Sequence, residues 1–260
     1  MKISIIMPAY NEEKRIGDTL NTYSKYFEGI RKSKFLDYEI LVVINNTKDR
    51  TINIVESFKK KNKRVAYLNL KKGGKGYAIV EGFKDSLKRE NDLIGFVDAD
   101  MATPPEAFYK LVENVKGYDG AIASRWVKGS VIKVKQTLLR RFMSIGFNFL
   151  VRSMFLMHYR DTQCGAKIFK REIIKFIINK IGITKWAFDV NLLYEIRKNG
   201  FKLVEVKTIW EDKKDSKLNV TKVPFEMFSG IARLRLINSP FNFVVRFYDL
   251  LPEVLKLYHR

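Results

Sequence analysis

Four short, nearly all-apolar runs alternate with helix-like stretches over the first hundred or so residues, and this pattern limits the fold more than any other feature. KISIIMPAY, YEILVVINN, VAYLNL and LIGFVDAD read as strands. Between them lie NEEKRIGDTLNTYSKYF, with apolar residues at 16, 20, 23 and 27, then TKDRTINIVESFKKK and GKGYAIVEGFKDSLKR, all with helical periodicity. A strand that is apolar on both faces must be covered on both faces. Strands alternating with helices therefore predict an α/β fold with a mainly parallel sheet flanked by helices. In such sheets ligands bind at the carboxyl ends of the strands. Asn11, Asn45, Lys75, Asp98 and Asp100 all fall at or just after those ends.

The fourth run ends in two carboxylates one residue apart. Like charges that close repel and raise each other's pKa, a cost relieved where a cation lies between them. The alternative is a solvated turn ahead of the helix that begins near Pro104 and Pro105. With only His158, His259 and Cys164 as softer ligands, a metal here would be hard and oxygen-ligated. The single cysteine also excludes an intramolecular disulfide framework.

Beyond Asp100 the expected path is a helix through Val115, a strand in GAIASRWV and a long helix over Thr137–His158. A loop, RDTQCGAKIFKR, follows, then a helix near Arg171–Asn179 and another from Trp186 to Gly200. A final strand FKLVEVKTIW, a charged loop and an amphipathic helix over Pro224–Asn238 lead to an aromatic, basic tail. In the long helix, polar residues recur at 137, 140, 141, 144, 148 and 152, a narrow stripe in an otherwise apolar surface. That pattern fits a core helix or one lying in a membrane interface. Its longest uncharged run, Phe142–Val151, is too short to span a bilayer. The N-terminus enters a strand at once and does not read as a signal peptide. The net charge of +21, from 49 basic and 28 acidic residues, calls for an anionic partner: nucleic acid, an anionic membrane surface or a phosphorylated substrate.

MPAYNEE, VVINNTKDRT, KGGKGYAIVEG, FVDADMATPPE and ASRWVKGS, in that order, resemble a family 2 glycosyltransferase of the GT-A fold. DTQCGAKIFKRE and KWAFDVNLLYEI narrow the resemblance to the dolichyl-phosphate β-glucosyltransferases and, more distantly, the dolichyl-phosphate mannosyltransferases. It spans roughly residues 3 to 218, and seven ordered motifs are far more specific than a lone pair of aspartates.

The resemblance implies a GT-A domain over residues 1–222, including the candidate interface helix; the helical segment over 223–260, amphipathic by its own pattern, is expected to associate with the membrane. The resemblance also implies nucleotide-sugar binding by Pro8, Tyr10, Glu12, Asn45, Lys75, Asp98, Ala99, Asp100 and the mobile-loop Lys217. Asp98 and Asp100 would hold Mg2+ or Mn2+. Arg125, Arg140 and Ser144 would cradle an acceptor phosphate, with Ser144 one helical turn beyond Arg140. Asp161, Gln163 and Asp189 would orient the sugar or the arginines, and Asp100, Arg125 and Asp189 would be the catalytic group. Two departures stand out. Asn45 replaces the aspartate that usually accepts a hydrogen bond from the base. Ala102 stands where mannosyl relatives often carry a metal-contacting glutamine.

The expected reaction is inverting transfer of a hexose, glucose from UDP-glucose, onto dolichyl or polyprenyl phosphate. The expected site of action is the cytoplasmic membrane face, with peripheral attachment, no transmembrane span and no nucleic-acid partner. A hydroxyl acceptor needs a carboxylate base, whereas a phosphate, with a second pKa of about 6, brings its own charge. GDP-mannose as donor, a sugar-hydroxyl acceptor and a charge-driven binding module are the rival readings. A nucleotidyltransferase would want a glycine-rich loop after the first strand, and MPAYNEE has none.

Overall fold

The computed structural model describes residues 1–133, 138–182, 187–211 and 222–250. Thr137, Trp186, Lys217 and the tail beyond 250 lie outside the described residues, as does the side chain of Arg140.

The first four strands are β1 (Lys2–Ala9), β2 (Asp37–Asn45), β3 (Val65–Leu70) and β4 (Leu93–Val97). The helices between them are α1 (Ile16–Ser33), α2 (Thr51–Lys61) and α3 (Lys75–Ser86). Then come α4 (Pro105–Asn114), β5 (Gly120–Ser124), β6 (Val131–Ile132) and α5 (Leu138–Phe155). β7 (Ala166–Lys170), α6 (Arg171–Ile177), α7 (Phe188–Lys198), β8 (Leu203–Lys207), β9 (Ile209–Trp210), α8 (Lys222–Ile237) and α9 (Asn242–Leu250) complete the described chain. A short 3-10 turn, Ile178–Lys180, extends α6.

The main sheet has the order β3-β2-β1-β4-β7-β5-β8, and β6 pairs with β9 in a two-stranded ribbon. β1 pairs in parallel with β2 and β4, β2 with β3, and β5 with β8. β7 alone runs antiparallel, between β4 and β5.

The alternation of a strand divides its side chains between two cores. Ile3, Ile5 and Met7 of β1 pack with Ile16, Leu20, Tyr23 and Phe27 of α1, the four positions expected from the helical spacing. Ile6 points the other way, toward Ile79 and Phe83 of α3. Burying each such side chain contributes about 1.5–3 kcal/mol.

Two expectations are corrected. RDTQCGAKIFKR is not all loop, because its second half is β7 at the centre of the sheet. A fully buried lysine, Lys167, sits inside the strand and breaks the apolar run that marks the other central strands. FKLVEVKTIW is not one strand, because β8 ends at Lys207 and β9 turns to pair with β6.

The polar stripe of the long helix is also redistributed. Asn148 faces the fold, where its Oδ1 accepts from the backbone N–H and the hydroxyl of Thr162, both at 2.9 Å. Val151 and Phe155 are buried beside it. The outer face instead presents Ile145, Phe149 (69% exposed), Arg152 and Leu156 (70% exposed). α8 sends Ile231 and Leu234 into the second core. Phe228, Phe241, Phe243 and Phe247 on and after it are exposed. Among the described residues no helix is long and apolar enough to cross a membrane.

Candidate active site

β2, β1, β4 and β5 all run the same way, so Asn46, Tyr10, Asp98 and Arg125 come in that order along one rim of the sheet. The antiparallel β7 starts where those strands end. It therefore brings Asp161 to Gly165 to the same rim, and Asp98 donates its backbone N–H to the Gly165 carbonyl at 3.2 Å.

Pro8, Tyr10, Glu12, Asn45, Lys75, Asp98, Ala99 and Asp100 line a single open cleft of about 540 Å³, together with Asn46, Gly73 and Gly74. Eight of the nine residues expected at the nucleotide-sugar are thus gathered at one place; the ninth, Lys217, lies outside the described residues. The Tyr10 ring stands open at the mouth.

The loops around the cleft are stitched together. Glu12 donates its backbone N–H to the Thr51 hydroxyl at 2.8 Å, and Asn11 Oδ1 accepts from the Lys48 N–H at 2.9 Å. Asn11, Asn46 and Met101 take positive φ at the rim. Asparagine tolerates that conformation; methionine rarely adopts it. The loop holding the two aspartates is fixed from α1. Thr19 donates its hydroxyl to the Ala99 carbonyl at 2.7 Å, and Tyr23 to that of Thr103 at 2.8 Å.

Asp98 pairs with the Lys75 ammonium. Burial opposes the charge on Lys75, but Asp98, then Asp189, outweigh it, and the lysine pKa is raised. Asp100 accepts from the Ala102 N–H at 2.9 Å. Burial, reinforced by the charge of Asp98, holds the Asp100 carboxyl above the usual carboxylate range. Gly165 explains how Asp98 is seated: a Cβ there would lie 1.9 Å from Asp98 Oδ2, so only glycine leaves the carboxylate its place.

Glu12 is not a free acceptor. Arg15 donates from Nε and Nη2 to its two oxygens, at 2.7 and 2.9 Å. Burial nevertheless raises the Glu12 pKa, against the pull of Arg15. Asn45 is committed too. Its Nδ2 donates to the Ala9 carbonyl at 3.0 Å, and its Oδ1 accepts from the Gly74 N–H at 3.0 Å. It braces the ends of two strands against the glycine turn, where Gly74 adopts φ +129°.

Arg125 and Asp161 form a buried pair. Nε and Nη2 of the arginine donate to the carboxylate at 2.7 and 2.9 Å, and the Arg125 backbone N–H adds a third bond at 3.0 Å. The guanidinium also lies over the Trp210 ring, 5.2 Å from its centre. Burial disfavours both charges, yet each partner outweighs it: the arginine pKa is raised and that of Asp161 lowered. Ser144 is half-buried on α5, and Gln163 is half-buried just after Asp161. Cys164 is buried, and burial followed by the charge of Asp161 pushes its thiol up to about 12, so it is inert at neutral pH.

Asp189 opens α7 and accepts from Lys167 Nζ at 2.6 Å. Lys167 is fully buried, donates also to the Cys164 carbonyl at 2.7 Å, and lies 5.3 Å from the centre of the Phe96 ring. The sequence reading missed Lys167, Arg15 and Gly165. The one local signal for Lys167 was a lone charge inside an otherwise strand-like AKIF.

The family model described as Glycosyl transferase family 2 matches residues 4–178. A dolichyl-phosphate beta-glucosyltransferase from Dictyostelium discoideum is 32% identical over 244 residues, covering 90% of this chain and 73% of that protein. Its namesake from Homo sapiens is 31% identical over 235 residues, covering 86% and 70%. Among solved structures, glucosyl-3-phosphoglycerate synthase from Mycobacterium tuberculosis, in complex with Mn2+, uridine diphosphate and glucosyl-3-phosphoglycerate, superposes with a TM-score of 0.63 at 14% identity. That match covers 90% of this chain and 79% of the other. Mannosyl-3-phosphoglycerate synthase from Rubrobacter xylanophilus superposes with a TM-score of 0.62 at 17% identity, covering 94% and 78%. These two show the fold, which is GT-A. With its motifs in order along one cleft and a family match over most of its length, the chain belongs to glycosyl transferase family 2.

Proposed function

We propose that this glycosyltransferase moves glucose from UDP-glucose, with inversion, onto a polyprenyl (dolichyl) phosphate, working from the cytoplasmic face of a membrane to which it binds peripherally. The observation that carries the acceptor assignment is the state of the acids. Of the five at the cleft and beneath it, Glu12, Asp98, Asp161 and Asp189 are each paired with a basic side chain, and Asp100 alone is not. Asp189 is the ion-pair partner of the fully buried Lys167, and breaking such a pair costs about 3–5 kcal/mol. A site so arranged is poorly supplied with a general base. It suits an acceptor that arrives already ionised, and the names of the relatives point the same way.

The residues also fit a divalent cation. Asp98 and Asp100 offer hard oxygens, and the raised pKa of Asp100 reflects burial first and then repulsion from Asp98, which a cation would relieve. Among the described residues no group of three or more His, Cys, Asp or Glu could hold a metal ion. The remaining positions of Mg2+ or Mn2+ would fall to diphosphate oxygens and water. When bound, such an ion neutralises charge growing on the departing nucleotide diphosphate.

The protein's own groups divide the rest of the work. Tyr10 offers its ring to the base, and Lys75 places a second positive charge at the diphosphate. Asp189, held by Lys167, orients a sugar hydroxyl. Asp161 occupies the Nε–Nη2 edge of Arg125, which fixes the guanidinium and leaves its Nη1 edge to meet the acceptor phosphate, with Arg140 and Ser144 on α5. The membrane reading rests on the exposed apolar face of α5 and the exposed phenylalanines on and after α8.

One assay tests the proposal: purified protein, dolichyl phosphate, manganese and a panel of radiolabelled nucleotide-sugars. Label should enter the organic phase from UDP-glucose. Transfer from GDP-mannose alone, or only to a free sugar hydroxyl, would overturn it.

A further inference from the structure

α7 carries Asp189 at one end and two cations, Arg197 and Lys198, at the other, about 13 Å further along the helix. There the ends of α5 and α8 meet it around a groove of about 350 Å³. Met154, Leu156 and Tyr194 form its apolar wall, and Arg197, Lys198 and Arg235 its cationic rim.

Two of the cations are held in place. Arg197 Nη1 donates to the Phe155 carbonyl at 2.7 Å, and Lys198 Nζ to Asn238 Oδ1 at 2.8 Å. Among the described residues none of the three forms an ion pair, unlike Arg89, Arg125 and Lys167. Leu156 projects from the end of α5 with φ +52°, on the outer face that also exposes Ile145, Phe149 and Arg152. The groove thus offers fixed, uncompensated positive charge at one side and an apolar path at the other.

We infer that this groove seats the phosphate headgroup of an anionic phospholipid of the membrane, with an acyl chain running over Leu156 and Phe149. A free phosphate ion would use the rim and gain nothing from the apolar wall, so the amphiphile is the occupant that satisfies both. Because the groove lies at the opposite end of α7 from Asp189, it is a second lipid site, separate from the one that takes the acceptor. The inference rests on the membrane reading above and adds a specific seat to it. Lipid binding here would fix how the protein sits on the bilayer and hence where the cleft opens relative to it.

The test is co-sedimentation of the full chain with phosphatidylcholine vesicles with and without phosphatidylglycerol. Wild type should bind the anionic vesicles more tightly. Lys198→Gln/Arg235→Gln should weaken that binding about 30-fold, as expected for two cations near the surface. Arg235→Gln alone, which breaks no bond in the described structure, should lose about 5-fold. Lys59→Gln/Lys60→Gln, an equal charge change on α2 across the sheet, should change it little. Wild type that ignores anionic vesicles would overturn both the membrane reading and the groove. Wild type that binds while the groove variants bind equally well, or lose no more than the α2 control, would overturn the groove alone. Thermal melts of each variant establish that the fold is intact.

Discussion

Lys167, fully buried in the central strand β7, donates to Asp189 at the start of α7 with an Nζ–Oδ1 distance of 2.6 Å. The pair joins the sheet to the helix directly beneath the cleft. Lys167→Met should cost about 3–5 kcal/mol, because Asp189 is left charged and unpaired. The double variant Lys167→Met/Asp189→Asn should recover much of that, a coupling that chemical denaturation would measure as a double-mutant cycle. Additive losses would show that the two groups do not act as a pair.

Arg125→Ala should be more damaging to turnover than Asp189→Asn. Loss of one charge-assisted contact to a phosphate costs about 2–4 kcal/mol, roughly 30- to 1,000-fold in rate. Assays on lipid phosphate decide this, and an inactive Asp189→Asn beside a healthy Arg125→Ala would favour a hydroxyl acceptor. Asp161, whose pKa is lowered, adds a pH signature to the fold. Its ion pair contributes stability that is present above the unfolded carboxylate value of about 3.9 and is lost as pH falls through the lower folded value. Asp161→Asn should remove that acid-dependent part of the stability, as read from melts across pH 2 to 6.

Asp100→Asn should abolish turnover while the melting temperature holds or rises, since a carboxyl with a raised pKa is a strained charge in the free protein. EDTA should have the same effect on wild-type activity, reversed by Mg2+ or Mn2+. Gly165→Ala should resemble Asp100→Asn in activity, because the new Cβ displaces the Asp98 carboxylate. Full turnover in metal-free buffer would remove the cation from the reading.

Asn45→Asp should weaken nucleotide-sugar binding, although aspartate is the usual residue of the family at this place. The amide donates to the Ala9 carbonyl, and a carboxylate there would set two acceptors against each other. Calorimetric titration with UDP-glucose should show a loss of about 5- to 150-fold, for an uncompensated penalty of roughly 1–3 kcal/mol. Tighter binding would show that Asn45 turns toward the base when the ligand is present.

The sequence by itself determined the parallel first half of the sheet, the two-sided core and the cleft. Strand runs such as YEILVVINN and helical spacings such as 16, 20, 23 and 27 are set by local periodicity, and a parallel sheet sends its strand ends to one rim. The motifs that line the cleft could therefore be read in order. What the tertiary structure decided is who pairs with whom. β7 enters the sheet antiparallel, and this non-local choice carries Asp161 to Arg125, Gly165 to Asp98 and Lys167 to Asp189. No period in the sequence encodes a contact between residues 36 or 67 positions apart. A buried lysine looks, in one dimension, like the solvated ones around it. Only the geometry of the packed core, where an unpaired charge is costly, shows that Lys167 has a partner and that this partner is Asp189.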